Sequence, residues 1–181
     1  PGKSSEQEKD KIKKFCCENK VIVISVNGCY PYVETDYIFI SNLRRYRSFE
    51  KCGNSKLITT SNIDGKNSDF QIEYSEFINS QKGVEDNAAL MLLSLLIRLE
   101  CRKIYLAGID GYAIDEKTNY RDEKMNIKRD ENSIKIINVG LAKKIKDYRE
   151  LADISYITKH KNVLLEDYVD EERENKNTGI I

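Results

Sequence analysis

Four groups of residues in this chain have the types and spacing to engage a ligand. Pro1-Gly2-Lys3-Ser4 stands directly before a Lys- and Glu-rich stretch that reads as a helix, so backbone N–H groups and the positive end of a helix dipole would meet an anion there. The Walker phosphate loop carries a further Gly four residues ahead of its Gly-Lys pair, a position this sequence does not include, and the plainer reading is an N-cap. Asp86-Asn87 opens a long apolar run and Asp110-Gly111-Tyr112 closes the next one. A carboxylate at such a place commonly accepts sugar hydroxyls, and Gly111 allows close backbone approach; the alternative is that Asp86 caps a helix and Asp110 a turn. Arg44-Arg45-Tyr46-Arg47 gathers guanidinium groups around one aromatic ring, fit to clamp a phosphorylated ligand or a neighbouring subunit, against the plainer reading of a solvated helix face.

Catalysis by a Ser-His-Asp or Cys-His arrangement would have to use His160, the single histidine. Flanked by Lys159 and Lys161, it reads rather as a surface residue. A histidine-based metal site is excluded, and the carboxylates lack convincing ligand spacing, so no metal ligand and no catalytic residue is assigned.

The elements that must position these groups alternate along the chain. Residues 5–19 predict an amphipathic helix capped by Ser4 or Ser5, and Val21–Val26 is a β-branched run of the kind buried on both faces of a parallel sheet. Further strands are predicted at Asp36–Ser41, Lys56–Ser61 and Phe70–Tyr74, with a short basic helix from Asn42 to Glu50. A helix from Asp86-Asn87 to about Glu100 is apolar nearly all round and therefore central. Lys103–Gly108 is the next strand, residues 113–130 lack periodicity and read as a mobile loop, and a helix at Ile134–Leu151 leads to a last strand at Ile154–Thr158. Alternating strands and helices predict an α/β, three-layer Rossmann-like domain with a mostly parallel sheet over residues 1–165, followed by a charged tail at 166–181. Ligands of such sheets bind at strand carboxyl ends. That rule selects Asn27-Gly28, Ser41-Asn42, Asp86-Asn87, Asp110 to Tyr112 and Thr158 to Lys161.

Composition narrows the class. The 181 residues carry 30 Lys+Arg against 30 Asp+Glu, and this balance argues against a protein whose main task is gripping nucleic acid. The most apolar run, Ala88–Ile97, is far short of the roughly 20 residues needed to cross a bilayer, so no membrane partner is expected. The start is neither a signal nor a transit peptide, and the 5 cysteines form no C-x-x-C pair, so reduced thiols and a cytoplasmic location are expected. The missing initiator Met fits a fragment of something longer.

The unit Asp86–Tyr112, with Pro1-Gly-Lys-Ser4, Ile22-Val-Ile-Ser-Val-Asn27 and Tyr37-Ile-Phe-Ile-Ser-Asn42, resembles the C-terminal domain of bacterial aldolase-like proteins of the 4-hydroxy-2-oxovalerate aldolase and HMG-CoA-lyase type. The resemblance implies an N-terminal aldolase-like barrel in a parent chain, where the lyase site would lie. The same unit is more distantly similar to family 42 sialyltransferases and to hydroxymethylpterin pyrophosphokinases. From the sialyltransferases it implies a nucleotide-sugar pocket at Gly2, Lys3, Ser4, Asn27, Asn42 and Asn87, with Asp110 in the strand-end Ile-Asp-x-Tyr pattern and Tyr112 and Tyr120 holding the leaving phosphate. That family's general base is a His between the mobile loop and the last long helix, yet Asp122–Lys144 contains none. A transferase needs such a base within reach of the acceptor hydroxyl.

The function expected is thus an accessory domain that binds a nucleotide, nucleotide sugar or phosphorylated metabolite. Phosphate would meet Gly2–Ser4 and the helix head at Asn87, Asp110 would accept a sugar hydroxyl, and Tyr112 and Tyr120 would close over the ligand. The alternatives are a stand-alone glycosyl- or pyrophosphoryl-transferase, the latter requiring Mg²⁺ with Asp110 as its first ligand, and a structural domain for oligomerisation.

Overall fold

A computed structural model of the protein describes residues 2–50, 53–113, 119–120 and 127–160. The chain begins with two short helices, α1 (Ser4–Gln7) and α2 (Lys9–Glu18), where the sequence predicts one. The break falls at Glu8 (φ −112°, ψ 26°), whose carboxylate accepts the backbone N–H of Lys159 at 2.8 Å. Strands β1 (Ile24–Val26) and β2 (Tyr37–Ile40), helix α3 (Leu43–Arg47), and strands β3 (Lys56–Thr60) and β4 (Phe70–Ile72) follow. After a short 3₁₀ turn come α4 (Ala88–Arg98), β5 (Lys103–Leu106), α5 (Glu131–Arg149) and β6 (Asp153–Tyr156).

All strand pairs are parallel, so the domain is α/β and Rossmann-like as predicted. The strands divide between a four-stranded sheet, β1-β2-β3-β4, and a two-stranded sheet, β5-β6. Alternation along β2 explains the layering. Phe39 packs with Met91 and Leu92 of α4, whereas Ile38 and Ile40 face the opposite side with Leu57, Tyr46 and Phe49. On the second sheet, Ile104, Leu106 and Ile154 pack with Leu90 and Leu93 of α4 and with Ile137, Leu141 and Ile145 of α5. Tyr105 points the other way and meets Phe15 of α2 edge-on at 4.6 Å. Helices α4 and α5 therefore cover one face and α1, α2 and α3 the other, and α4 contributes to the core of both sheets. Ile38, Phe39, Ile40, Leu90 and Met91 are fully enclosed, each worth about 1.5–3 kcal/mol of transfer free energy.

The caps fall where short polar side chains permit. Asn87 Oδ1 accepts the N–H groups of Ala89 and Leu90, Asn42 Oδ1 those of Arg44 and Arg45, and Asp130 carries α5 through Ser133. The first helix departs from expectation: Lys3 occupies the cap position and Ser4 lies inside the helix, its side chain engaged elsewhere. The expectation of reduced thiols is corrected at one residue. Cys16, Cys17 and Cys101 are free, but Cys29 is in a disulfide whose other half lies outside the described residues. Parallel pairing of β1 and β2 brings the loop after β1 to the loop after α3, and Cys29 Sγ lies 3.4 Å from Glu50 O, a proximity the linear spacing conceals. Parts of the predicted mobile loop (114–118 and 121–126), the domain boundary at 165 and the charged tail lie outside the described residues. Among the described residues no helix is long and apolar enough to cross a membrane.

Candidate functional site

Strand β5 ends in a turn built on two left-handed glycines, Gly108 (φ 70°) and Gly111 (φ 75°), with Ile109-Asp110 between them. Asp110 fastens the start of the chain to this turn. Ser4 N–H donates to Asp110 Oδ2 at 2.7 Å, and the Ser4 hydroxyl reaches both Asp110 Oδ1 and Thr158 Oγ1, the latter at 2.8 Å. Thr158 Oγ1 also accepts Gly108 N–H at 2.9 Å, and Gly2 N–H donates to Gly108 O at 2.7 Å. A side chain at position 2 would collide with the Asp110 carboxylate and force it to shift. The positive end of α1 thus already faces a carboxylate of the chain itself.

Tyr112 is held on both sides of its backbone by one side chain of α5. Asn138 Oδ1 accepts Tyr112 N–H at 2.9 Å, and Asn138 Nδ2 donates to Tyr112 O at 2.7 Å. Asn119 clamps Ala113 in the same two-sided manner, at 2.6 and 3.1 Å. Between these clamps the Tyr112 and Tyr120 hydroxyls share a hydrogen bond of 2.6 Å, and residue 120 forms a β-bridge with Gly2.

Two guanidinium groups flank the tyrosines. Arg129 lies 4.9 Å from the Tyr112 ring centre and Arg45 lies 5.8 Å from that of Tyr120, both within cation–π range. Arg129 Nη1 is buried with no hydrogen-bond partner among the described residues. Burial pushes the Tyr112 phenol far above its ordinary range and Tyr120 adds to the shift, while Arg129 and Arg45 oppose it. Tyr112 therefore remains a neutral hydrogen-bond donor at neutral pH, beside fixed positive charge.

The structure thus brings Gly2, Lys3, Ser4, Asp110, Tyr112 and Tyr120 to one corner of the sheet edge. Asn27 and Asn42 stand at the carboxyl ends of β1 and β2 in the neighbouring sheet, and Asn87 heads α4. Asn42 and Asn87 use their side-chain oxygens as caps. Asn27 adopts φ 61°, and its Oδ1, like the Ser41 hydroxyl, is buried without a partner among the described residues. Arg45 links the two groups, because α3, capped by Asn42, carries this residue to the ring of Tyr120. His160 stacks on Tyr156 with ring centres 3.7 Å apart. Among the described residues no cluster of His, Cys, Asp and Glu fit to hold a metal ion occurs.

Sequence reasoning missed Arg129 and Asn138. Asn138 had a signal: it follows Ile134 by four on the buried stripe of α5, where a poor helix former invites explanation. Arg129 had none, since it lies in the stretch without periodicity. A depression of about 260 Å³ lined by Ile97, Glu100, Cys101, Arg102 and Leu151 lies at the amino ends of β5 and β6, away from these groups. No family model, no curated protein and no solved structure matches the chain.

Proposed function

We propose that this domain binds a phosphorylated small molecule, a nucleotide or nucleotide sugar by preference, at the carboxyl edge of its sheets, as an accessory module of an aldolase-like parent protein. The observation that carries the binding site is Arg129, whose Nη1 is buried and without a hydrogen-bond partner among the described residues, over the ring of Tyr112, with Arg45 over the ring of the Tyr120 to which Tyr112 is hydrogen-bonded. A planar guanidinium donates two parallel hydrogen bonds to a phosphate, and a neutral phenol donates a third. Tyr112 and Tyr120 are the residues that the resemblance assigns to phosphate. The buried oxygens at Asn27 and Ser41 would take hydroxyl or amino donors from the rest of the ligand.

Asp110 serves this reading as a positioning residue, because its carboxylate is engaged by Ser4. The anion contact accordingly moves from the Gly2–Ser4 segment to the two arginines. The test is a thermal-shift titration against cytidine, uridine, guanosine and adenosine mono-, di- and triphosphates and sugar phosphates, with and without Mg²⁺. A ligand at about 100 times its dissociation constant stabilises the fold by roughly 2.7 kcal/mol. Arg129→Ala should weaken binding about tenfold or more, the scale of losing a charge-assisted hydrogen bond, with the far-ultraviolet spectrum unchanged. No shift with any probe, or an undiminished shift in both Arg129→Ala and Arg45→Ala, would overturn the proposal.

A further inference from the structure

The two sheets leave facing edges. Tyr37 N–H bonds to Val23 O and Asn27 N–H to Phe39 O, so the odd-numbered residues of β1 turn their peptide groups toward β2. By alternation, those of Ile24 and Val26 face outward. In the second sheet Asp153 N–H bonds to Arg102 O and Ile157 N–H to Leu106 O, so by alternation the peptide groups of Tyr105 lie on the edge away from β6. Among the described residues β1 has only β2 beside it and β5 only β6.

Both open edges lie under the same covers. Helix α4 packs against the cores of both sheets on one face. On the other face Phe15 of α2 rests on Tyr105 of β5, while Tyr30, in the loop after β1, donates from its hydroxyl to Ser5 O of α1 at 2.6 Å. A helix is about 10 Å across and adjacent strands lie about 4.8 Å apart, so a seam roofed by single helices has room for little more than one strand. Ile24, Val26, Leu95, Leu96 and Tyr105, which border it, are only half-buried, where the inner strands of a parallel sheet are buried on both faces.

We infer that the seam between β1 and β5 is a docking slot for one further parallel strand, an apolar β-branched segment that runs into Gly2 from upstream. Gly2 stands at the carboxyl mouth of the slot, hydrogen-bonded to Gly108 just beyond β5 and leading directly into α1. A strand there would be joined to β1 through α1 and α2 on one face. The chain would then reach β5, on the strand's other side, through α4 on the opposite face. Reversing both direction and face keeps every crossover right-handed, as parallel sheets require. The added strand would be the topological switch point of a single continuous sheet in the order β4-β3-β2-β1-slot-β5-β6.

The experiment extends the 181-residue chain at its N-terminus by Val-Ile-Val-Ile-Val, with Ser-Gly-Asn-Gly-Ser as control, and follows amide hydrogen exchange, melting temperature and mass in solution. The apolar extension should yield a monomer with a raised melting temperature. It should slow exchange at Ile24, Val26 and Tyr105 about tenfold or more, while the polar extension leaves these amides unchanged. Equal exchange in both extended proteins would overturn the inference. So would protection that occurs only in a dimer, because a second copy would then be the occupant.

Discussion

At the scale of the residue, charge and burial around Tyr112 decide what the site can do. Its folded-state phenol titrates well above the value of about 10 for an exposed tyrosine, because burial disfavours the phenolate. The linked stability is fully present below about pH 10 and is lost as pH rises through the folded value, since the unfolded chain releases that proton first. Urea unfolding should therefore weaken steadily above about pH 10, and Tyr112→Phe should flatten that decline. The fastening at Asp110 makes a second expectation. Asp110→Ala strands the Ser4 N–H in a buried corner, which costs about 1–3 kcal/mol of stability by urea titration. Loss of binding with stability unchanged would instead make Asp110 a direct ligand contact. The strand-end positions of Asp110 and Tyr112 were legible, because a strand followed by Gly-containing turns is a local pattern. The engagement of Asp110 by Ser4 was not, since the two lie 106 residues apart in the chain.

At the scale of the element, periodicity located each strand among the described residues, and the helices at 43–47, 88–98 and 131–149, to within a few residues, but read the first two helices as one; the caps Asn42 and Asn87 were readable as short polar side chains before apolar runs. What periodicity does not convey is which position on a helix must stay small. Gly140 lies midway along α5, and a Cβ there would stand 2.9 Å from Lys82 O and 3.0 Å from Val84 Cγ2. The helix is pressed against the backbone of the loop that precedes α4. Gly140→Val should destabilise by about 1–3 kcal/mol through overpacking, despite the better helix propensity of valine, and the change in thermal midpoint would measure it. A stabilised variant would mean that the loop at 82–84 yields. The split of the first helix is a comparable case: Glu8, where helical geometry breaks, accepts the N–H of Lys159, 151 residues away in the chain.

At the scale of the whole molecule, α4 contributes to the cores of both sheets. Leu90 and Met91 are adjacent and fully buried, yet Leu90 belongs to the core over β5 and β6 and Met91 to the core over β1 to β4. Leu90→Ala and Met91→Ala should each cost about 2–5 kcal/mol. Exchange at Phe39 in one sheet and Ile104 in the other should accelerate together in both variants, as one transition demands. Acceleration confined to the sheet nearest each substitution would show two independent units. The α/β class and the parallel pairing were determined by the sequence alone, because strand-helix alternation and β-branched runs are local and handedness is fixed by chirality. Tertiary structure decided the rest. It divided the strands into two sheets, assigned the Ser4 amide to Asp110 and carried Arg45 and Arg129 to the tyrosines. It also brought Cys29 to a disulfide partner. Each of these rests on contacts between segments distant in sequence, and such contacts are selected by the packing of faces that no local pattern records.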